Sequence, residues 1–304
     1  MEAFERDFYE ERRRKWRRSA FWRGFLVAAV LSGIIGVLIA SASVASRRDH
    51  VARVNITGLI TADPSRAAML EAIAEDDHAR ALIVRVNSPG GTTAGSEALF
   101  AALRRIGEDR PVVAVLSEVA ASGGYVAAIA ADHIVARGNT LTGSIGVIME
   151  YPDVTAVLDR LGIEIETVRS SELKAEPSPL RPTNPAARAR DEAMVADSYL
   201  WFRGLVGERR DLSGAALDEV ANGGVFTGRL ALESGLVDEI GGEREAALWL
   251  ESQDSSLEDL PIRDREPERD DPSLASVLFG FAPSTGFFGE MLQGSTPKLY
   301  SLIR

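Results

Sequence analysis

From residue 51 onward, five short runs rich in Val, Ile, Leu and Ala (51–60, 81–86, 112–116, 133–136 and 144–148) alternate with segments of helical patterning. Three of these runs are almost unbroken in apolar character, as strands are when both faces of their sheet are covered. Repeated alternation of strand and helix predicts an α/β fold around a mostly parallel sheet. Local signals set the helices. Asp63-Pro64 forms a cap and first-turn pair for a helix to about residue 75, Thr92 or Thr93 opens another to about 106, and Asn184-Pro185 starts a long one to about 209. A last unit (225–234, then 236–240, then a helix after Gly242) closes the compact body near residue 250, so the principal domain is expected at 51–250.

Attachments flank this body. Residues 24–46 carry no charged side chain, long enough for a membrane-spanning helix, and residues 1–23 form a leader with eight basic and five acidic side chains. The positive-inside rule puts that leader in the cytoplasm and the body outside, the arrangement of a single-pass inner-membrane protein with an extracytoplasmic or periplasmic domain. The competing reading is a signal peptide cleaved after Ala40-Ser41-Ala42; the length of both the apolar run and the leader favours retention. Residues 251–272 are rich in Asp, Glu, Ser and Pro and are expected to be an acidic linker. Residues 273–304 turn apolar again, with Phe279, Phe281, Phe287 and Phe288, but hold no run long enough to span a bilayer. That tail either docks on the body, a partner or the bilayer surface, or stays partly disordered.

Composition narrows the chemistry. With 45% hydrophobic residues the chain can build a core, and with no cysteine it excludes disulfides, thiolate zinc sites and cysteine nucleophiles. A formal charge of −11 argues against nucleic acid as a partner. No metal or organic cofactor is indicated. Lys15, Lys174 and Lys298 are the only lysines among 34 basic residues. Arginine stays protonated in proteins, whereas a desolvated lysine becomes neutral, so an isolated lysine in an arginine-rich chain is a candidate base.

Two glycine pairs follow predicted strands, in Asn87-Ser88-Pro89-Gly90-Gly91 and in Ala121-Ser122-Gly123-Gly124-Tyr125. Strand ends of parallel sheets bind ligands, and paired glycines let backbone N–H groups approach a reacting atom, as an oxyanion site requires. Each pair alone also reads as a tight strand-to-helix turn. Neither has the Gly-x4-Gly-Lys spacing of a phosphate loop. Ser122, directly before Gly123, is the better candidate nucleophile, and it needs a base. His50, His78 and His133 occupy positions that suggest no triad. Lys174, which follows a β-like run at 165–168, would serve if burial kept it neutral; otherwise it pairs with Glu172 or Glu176 on the surface. Ser144, in Thr142-Gly143-Ser144-Ile145-Gly146, either orients a lysine amine or is an ordinary turn serine.

Taken in order, these segments together with Ala131-Asp132-His133-Ile134-Val135-Ala136 resemble the signal peptide peptidase A family of Ser-Lys dyad serine peptidases, in its short, single-copy form. The likeness covers approximately residues 51–242. It implies a crotonase-like ββα spiral, shared with the Clp protease proteolytic subunit, with Ser122 as nucleophile, Lys174 as general base and Ser144 positioning the lysine. Gly91 and Gly123 would supply oxyanion N–H groups. Around the lysine the likeness is looser: Ser170-Ser171-Glu172-Leu173 precedes it and Ala175 follows, while Pro177-Ser178-Pro179 and the long helix beyond match better. The resemblance also implies a dome-like homo-oligomer with active sites shared between protomers, acting on remnant signal peptides and other short or unfolded apolar chains.

Two other functions fit the same fold expectation. An acyl-coenzyme A enzyme of the crotonase type needs a pocket carboxylate and no serine nucleophile, and an inert membrane-associated scaffold needs neither. The intact Ala-Ser-Gly-Gly and the lysine argue against both.

Overall fold

The computed structural model describes residues 32–33, 48–267 and, for the backbone, 300–302. The chain divides into two compact units, residues 1–49 and 50–304. In the first, Ser32 and Gly33 are helical; the expected leader and the rest of the expected spanning segment lie outside the described residues, as does the tail except at 300–302. Among the described residues no helix is long and apolar enough to cross a membrane.

The second unit is a mixed α/β fold on a nine-stranded sheet. Strands β1 (His50–Ile60), β2 (Ala79–Thr92) and β3 (Val112–Ala121) form its parallel centre. Side chains alternate across it. Val54, Ile56, Leu82, Val84, Ala114 and Leu116 face the larger core, while Ala81, Ile83, Val113 and Val115 face a second one. Burial on both faces is the reason these runs lack polar alternation. Helices α1 (Pro64–Ala74) and α2 (Thr93–Ile106) contribute Leu70, Ile73, Leu99 and Leu103 to the larger core. Later in the chain, α8 (Glu243–Gln253) packs Ala246 and Leu250 into the second.

The expected caps form. The Asp63 side chain accepts from Ser65 and Arg66 N–H, that of Thr92 from Gly95 N–H, and that of Asn184 from Ala186 N–H at the start of α5 (Pro185–Arg210). Each satisfies a backbone donor that the first helical turn leaves unpaired. Beyond β3 the sheet forks: Val113–Leu116 pairs with β4 (His133–Ala136), while Val119–Ala121 pairs with β5 (Leu141–Gly143), both parallel. Between the sheet strands lie α3 (Gly123–Ala128) and α4 (Thr155–Leu161); α6 (Gly214–Val220), β6 (Val225–Thr227), α7 (Gly228–Glu233) and β7 (Glu239–Ile240) follow α5.

Three expectations are corrected. The run 144–148 is not the strand: β5 ends at Gly143, because Ser144 turns to φ 51° and gives its N–H to the Gly224 carbonyl at 2.7 Å. The β-like run 165–168 forms no strand and is exposed. The acidic stretch 251–272 is not simply a linker, since β8 (Ile262–Arg265) pairs in parallel with β1. Arg53 of β1 reaches across to Asp264 of β8 with two hydrogen bonds of 2.6 and 2.7 Å, so the charges that suggested a solvated segment hold an edge strand.

Candidate active site

Ser122 stands between β3 and α3, fully buried, at φ 56° and ψ −120°. A non-glycine residue at positive φ costs on the order of 1–3 kcal/mol, held here by the surrounding structure. Its N–H donates to the Gly143 carbonyl (2.8 Å), and its own carbonyl accepts from Val126 N–H (2.9 Å). The turn is thereby tied to β5 on one side and α3 on the other. A strained strand-to-helix turn of this kind presents a serine at the carboxyl end of a parallel sheet.

Register places Ser144 next to it. Ala121 of β3 is paired with Gly143 of β5, so Ser122 and Ser144 are the next residues out from two adjacent parallel strands. Such strands lie about 4.8 Å apart. Both serines have positive φ, and both are buried.

The two glycine pairs face each other. A Cβ on Gly123 would lie 3.1 Å from the Gly91 nitrogen and closer still to Ser96 Oγ. Position 123 therefore admits no side chain, and the backbone of Gly91 approaches the serine turn directly. The Gly90-Gly91 bend is fixed by Ser88, whose buried hydroxyl donates to the Gly58 carbonyl (2.6 Å) and accepts from Gly90 N–H (3.1 Å). Ser96 lies one helical turn beyond Thr92, whose carbonyl accepts its hydroxyl at 3.0 Å. Neither Ser88 nor Ser96 is marked for such a role by the sequence pattern, apart from the i, i+4 spacing of Ser96 to Thr92.

Behind the turn, Tyr125 is fully buried and donates its hydroxyl to the Leu236 carbonyl at 2.7 Å. Burial pushes its phenol well above the usual range. Asp132 accepts from Val112 N–H (3.0 Å) and pairs with Arg104 (3.0 Å), bracing the start of β3. His133 stacks on Trp249 at 4.8 Å and lies 3.3 Å from Glu239, a structural setting away from the serine turn.

Lys174 is placed differently. It lies on an exposed turn within residues 150–184, an arm that leaves the sheet after β5 and closes on itself where Val154 N–H meets the Pro179 carbonyl (2.9 Å). Among the described residues Lys174 makes no ion pair. Glu176 is instead taken by Arg169 and by Arg181 (2.9 Å). Burial raises the Glu176 carboxyl pKa, but the hydrogen bonds from Arg181 and Arg169 outweigh it and hold the group below its usual value. The structure thus gathers Ser122, Ser144, Gly91 and Gly123, and leaves Lys174 outside that group. Two cavities lie on adjoining elements, and none of Ser122, Ser144, Gly91 and Gly123 lines either one. One of about 240 Å³, lined by Thr61, Leu70, Gly95 and Leu99, is apolar; one of about 690 Å³ lies beyond Ser144, between Ile145–Met149 and α5.

A buried serine on a strained turn of an α/β sheet, faced by closely packed backbone donors, has the architecture of a serine peptidase. The profile of peptidase family S49 matches residues 104–257, and the chain belongs to that family. A provisionally named protease of Synechocystis sp. is 37% identical over 206 residues, 67% of this chain and 74% of that protein. Protease 4 of Haemophilus influenzae is 34% identical over 70% of this chain, and the chloroplastic serine protease SPPA of Arabidopsis thaliana 31% over 76%. The matched region spans only about a third of those last two proteins, 35% and 34%.

Proposed function

We propose that this chain is a membrane-anchored serine endopeptidase that degrades remnant signal peptides and other short or unfolded apolar peptides through a Ser122–Lys174 dyad. The observation that carries the chemistry is the β3–β5 register, which sets Ser122 beside Ser144 with the Gly91 and Gly123 backbone alongside. In this reading Ser122 Oγ attacks the scissile carbonyl and gives its proton to the neutral Lys174 amine. The N–H groups of Gly91 and Gly123 stabilise the oxyanion. The C–N bond breaks as the lysine protonates the leaving amine, and water, deprotonated by the same lysine, hydrolyses the acyl-enzyme. The apolar cavity between α1 and α2 suits apolar substrate side chains.

A base must be desolvated to be neutral near pH 7. An exposed Lys174 fits that role once its arm is covered, and the arm has the surface for it: Val168 is 96% exposed, Leu161 67% and Val157 56%, and α4 buries no residue. A second copy of the chain is the cover proposed here, bringing Lys174 and Ser144-oriented chemistry together at the partner's Ser122 in a homo-oligomer of crotonase-like spirals. The charge-free run 24–46 and the seven basic residues from Arg12 to Arg23 support an anchor with the catalytic body outside the cytoplasm.

The test is cleavage of a fluorogenic apolar peptide. Ser122→Ala and Lys174→Met are each expected to lower turnover by about 10⁴-fold or more with folding and assembly retained. Undiminished cleavage by Ser122→Ala would remove the nucleophile, and undiminished cleavage by Lys174→Met would remove the dyad.

A further inference from the structure

Among the described residues, two carboxyl oxygens are buried without a hydrogen-bond partner, Glu176 Oε2 and Asp191 Oδ2. Glu176 is already matched through its other oxygen by Arg169 and Arg181. Asp191 is not. It lies on α5 one turn beyond the buried Ala187, is only 9% exposed, and its side chain makes no hydrogen bond or ion pair among the described residues. Burying a carboxyl group without a partner is costly, so the position calls for a complement.

Asp191 lines the cavity of about 690 Å³ that begins at Ile145, one residue beyond Ser144. The donors in the same wall are committed elsewhere: the Tyr199 hydroxyl donates to the Ala221 carbonyl (2.6 Å), and Asn222 Nδ2 to the Glu219 carbonyl (2.8 Å). Arg188, one turn before Asp191, is exposed and forms no ion pair with it among the described residues. The lining thus holds one basic side chain, Arg188, against two acidic ones, Asp191 and Glu192, on walls otherwise largely apolar. A bare divalent cation would want more oxygen ligands than these two carboxyl groups supply. An alkyl stem ending in an ammonium or guanidinium group matches both the apolar walls and the unpaired acid.

We propose that this cavity receives a lysine or arginine side chain of the bound peptide and that Asp191 is the residue that selects it. This deepens the peptidase reading and rests on Ser122 being the nucleophile, because the cavity adjoins the end of β5 that the register sets beside Ser122. It also names a substrate class, peptides that carry a basic residue close to an apolar run. Secretory leader peptides join a positively charged segment to an apolar one in this way. A hydrogen bond to a charged group is worth about tenfold in affinity at the low end of its range.

The experiment measures binding, by fluorescence anisotropy, to the detergent-solubilised full chain carrying Ser122→Ala. The probes are apolar peptides, acetylated and amidated at their ends, each with a single lysine moved along the sequence, and twins with leucine in its place. One lysine position is expected to bind about tenfold tighter than its leucine twin. Adding Asp191→Asn should reduce that ratio to below about twofold, and Asp191→Glu should keep it. If the asparagine variant does not fold, n-butylammonium at matched ionic strength serves instead, weakening the lysine peptide and sparing its twin. No lysine preference at any position, a preference that survives Asp191→Asn, or equal competition by n-butylammonium overturns the proposal. So does an Asp191→Asn variant that alters only subunit assembly, which would give the cavity to a basic side chain of a second copy. Cleavage of the same peptides, measured in the chain with its serine, keeps the two readings apart. Asp191-dependent binding without cleavage retains the site and removes the peptidase mechanism, whereas cleavage with equal affinities removes the site alone.

Discussion

Gly123 packs against the Gly90-Gly91 backbone and the Ser96 side chain, and a methyl group there would press on Ser96 Oγ and lie 3.1 Å from the Gly91 nitrogen. Gly123→Ala is expected to cost about 1–3 kcal/mol in denaturant unfolding, the usual penalty for forcing volume into a packed site. If the two N–H groups stabilise an oxyanion, the same variant lowers kcat by about 10²-fold with KM little changed, since the lost interaction is made in the transition state. Tyr125 offers a contrast, being buried beside the turn without touching the reacting atoms. Tyr125→Phe strands the Leu236 carbonyl and should cost about 1–3 kcal/mol while leaving kcat intact. Because burial raises its folded-state pKa, the tyrosine stabilises fully below the ordinary value of 10.0, and that contribution is lost as pH rises beyond it. Wild type should therefore lose stability above about pH 10 more steeply than Tyr125→Phe, a difference that urea titrations at pH 8 and 11 would expose.

At the scale of elements, what could be read from the sequence was what local chemistry dictates. The caps at Asp63, Thr92 and Asn184 involve hydrogen bonds across two or three residues, so their helices were legible to within a residue. The core strands were legible because both faces are buried. β8 was not, since its stability comes from pairing with β1 some 211 residues away, as in Arg53 to Asp264, and its composition alone says linker. Ser122 stood out beside its glycines, but its adjacency to Ser144 depends on how β3 forks, and the displacement of Lys174 onto an arm left no mark in the residue pattern. The arm itself is held by charge: Glu176, held between Arg169 and Arg181, fixes the turn that carries Lys174. Glu176→Gln should loosen that turn and, in the proposed dyad, lower kcat by up to about 10²-fold through misplacement of the lysine. The depressed carboxyl pKa makes the clamp stabilising above the ordinary value of 4.5 and lost as pH falls below it. Hydrogen exchange across 169–181 should accordingly show less protection at pH 3 than at pH 6, while the β1–β3 amides remain protected; unchanged protection in the arm would mean that the clamp does not order it.

For the whole molecule, the proposed dyad requires a buried Ser122 to meet an exposed Lys174. One route folds the arm back onto its own chain, and the other lets it reach a neighbour. The two predict opposite results when defective subunits are mixed. If each site takes its serine from one copy and its lysine from the next, Ser122→Ala subunits still donate Lys174, and Lys174→Met subunits still donate Ser122. In a ring of head-to-tail contacts assembled at random from equal amounts of the two, about a quarter of the sites contain both intact residues. Co-assembled by unfolding and refolding together, two inactive proteins are then expected to recover about a quarter of wild-type turnover, while each refolded alone stays inactive. Recovery should follow the product of the two subunit fractions as the ratio is varied, a dependence that contaminating wild type would not show. If the arm instead serves its own chain, every subunit carries a broken site and no ratio restores activity. The exposed Val157, Leu161 and Val168 decide which result is expected: folding back would have to bury them against the same sheet whose faces are already covered by two cores, whereas a second copy supplies new surface.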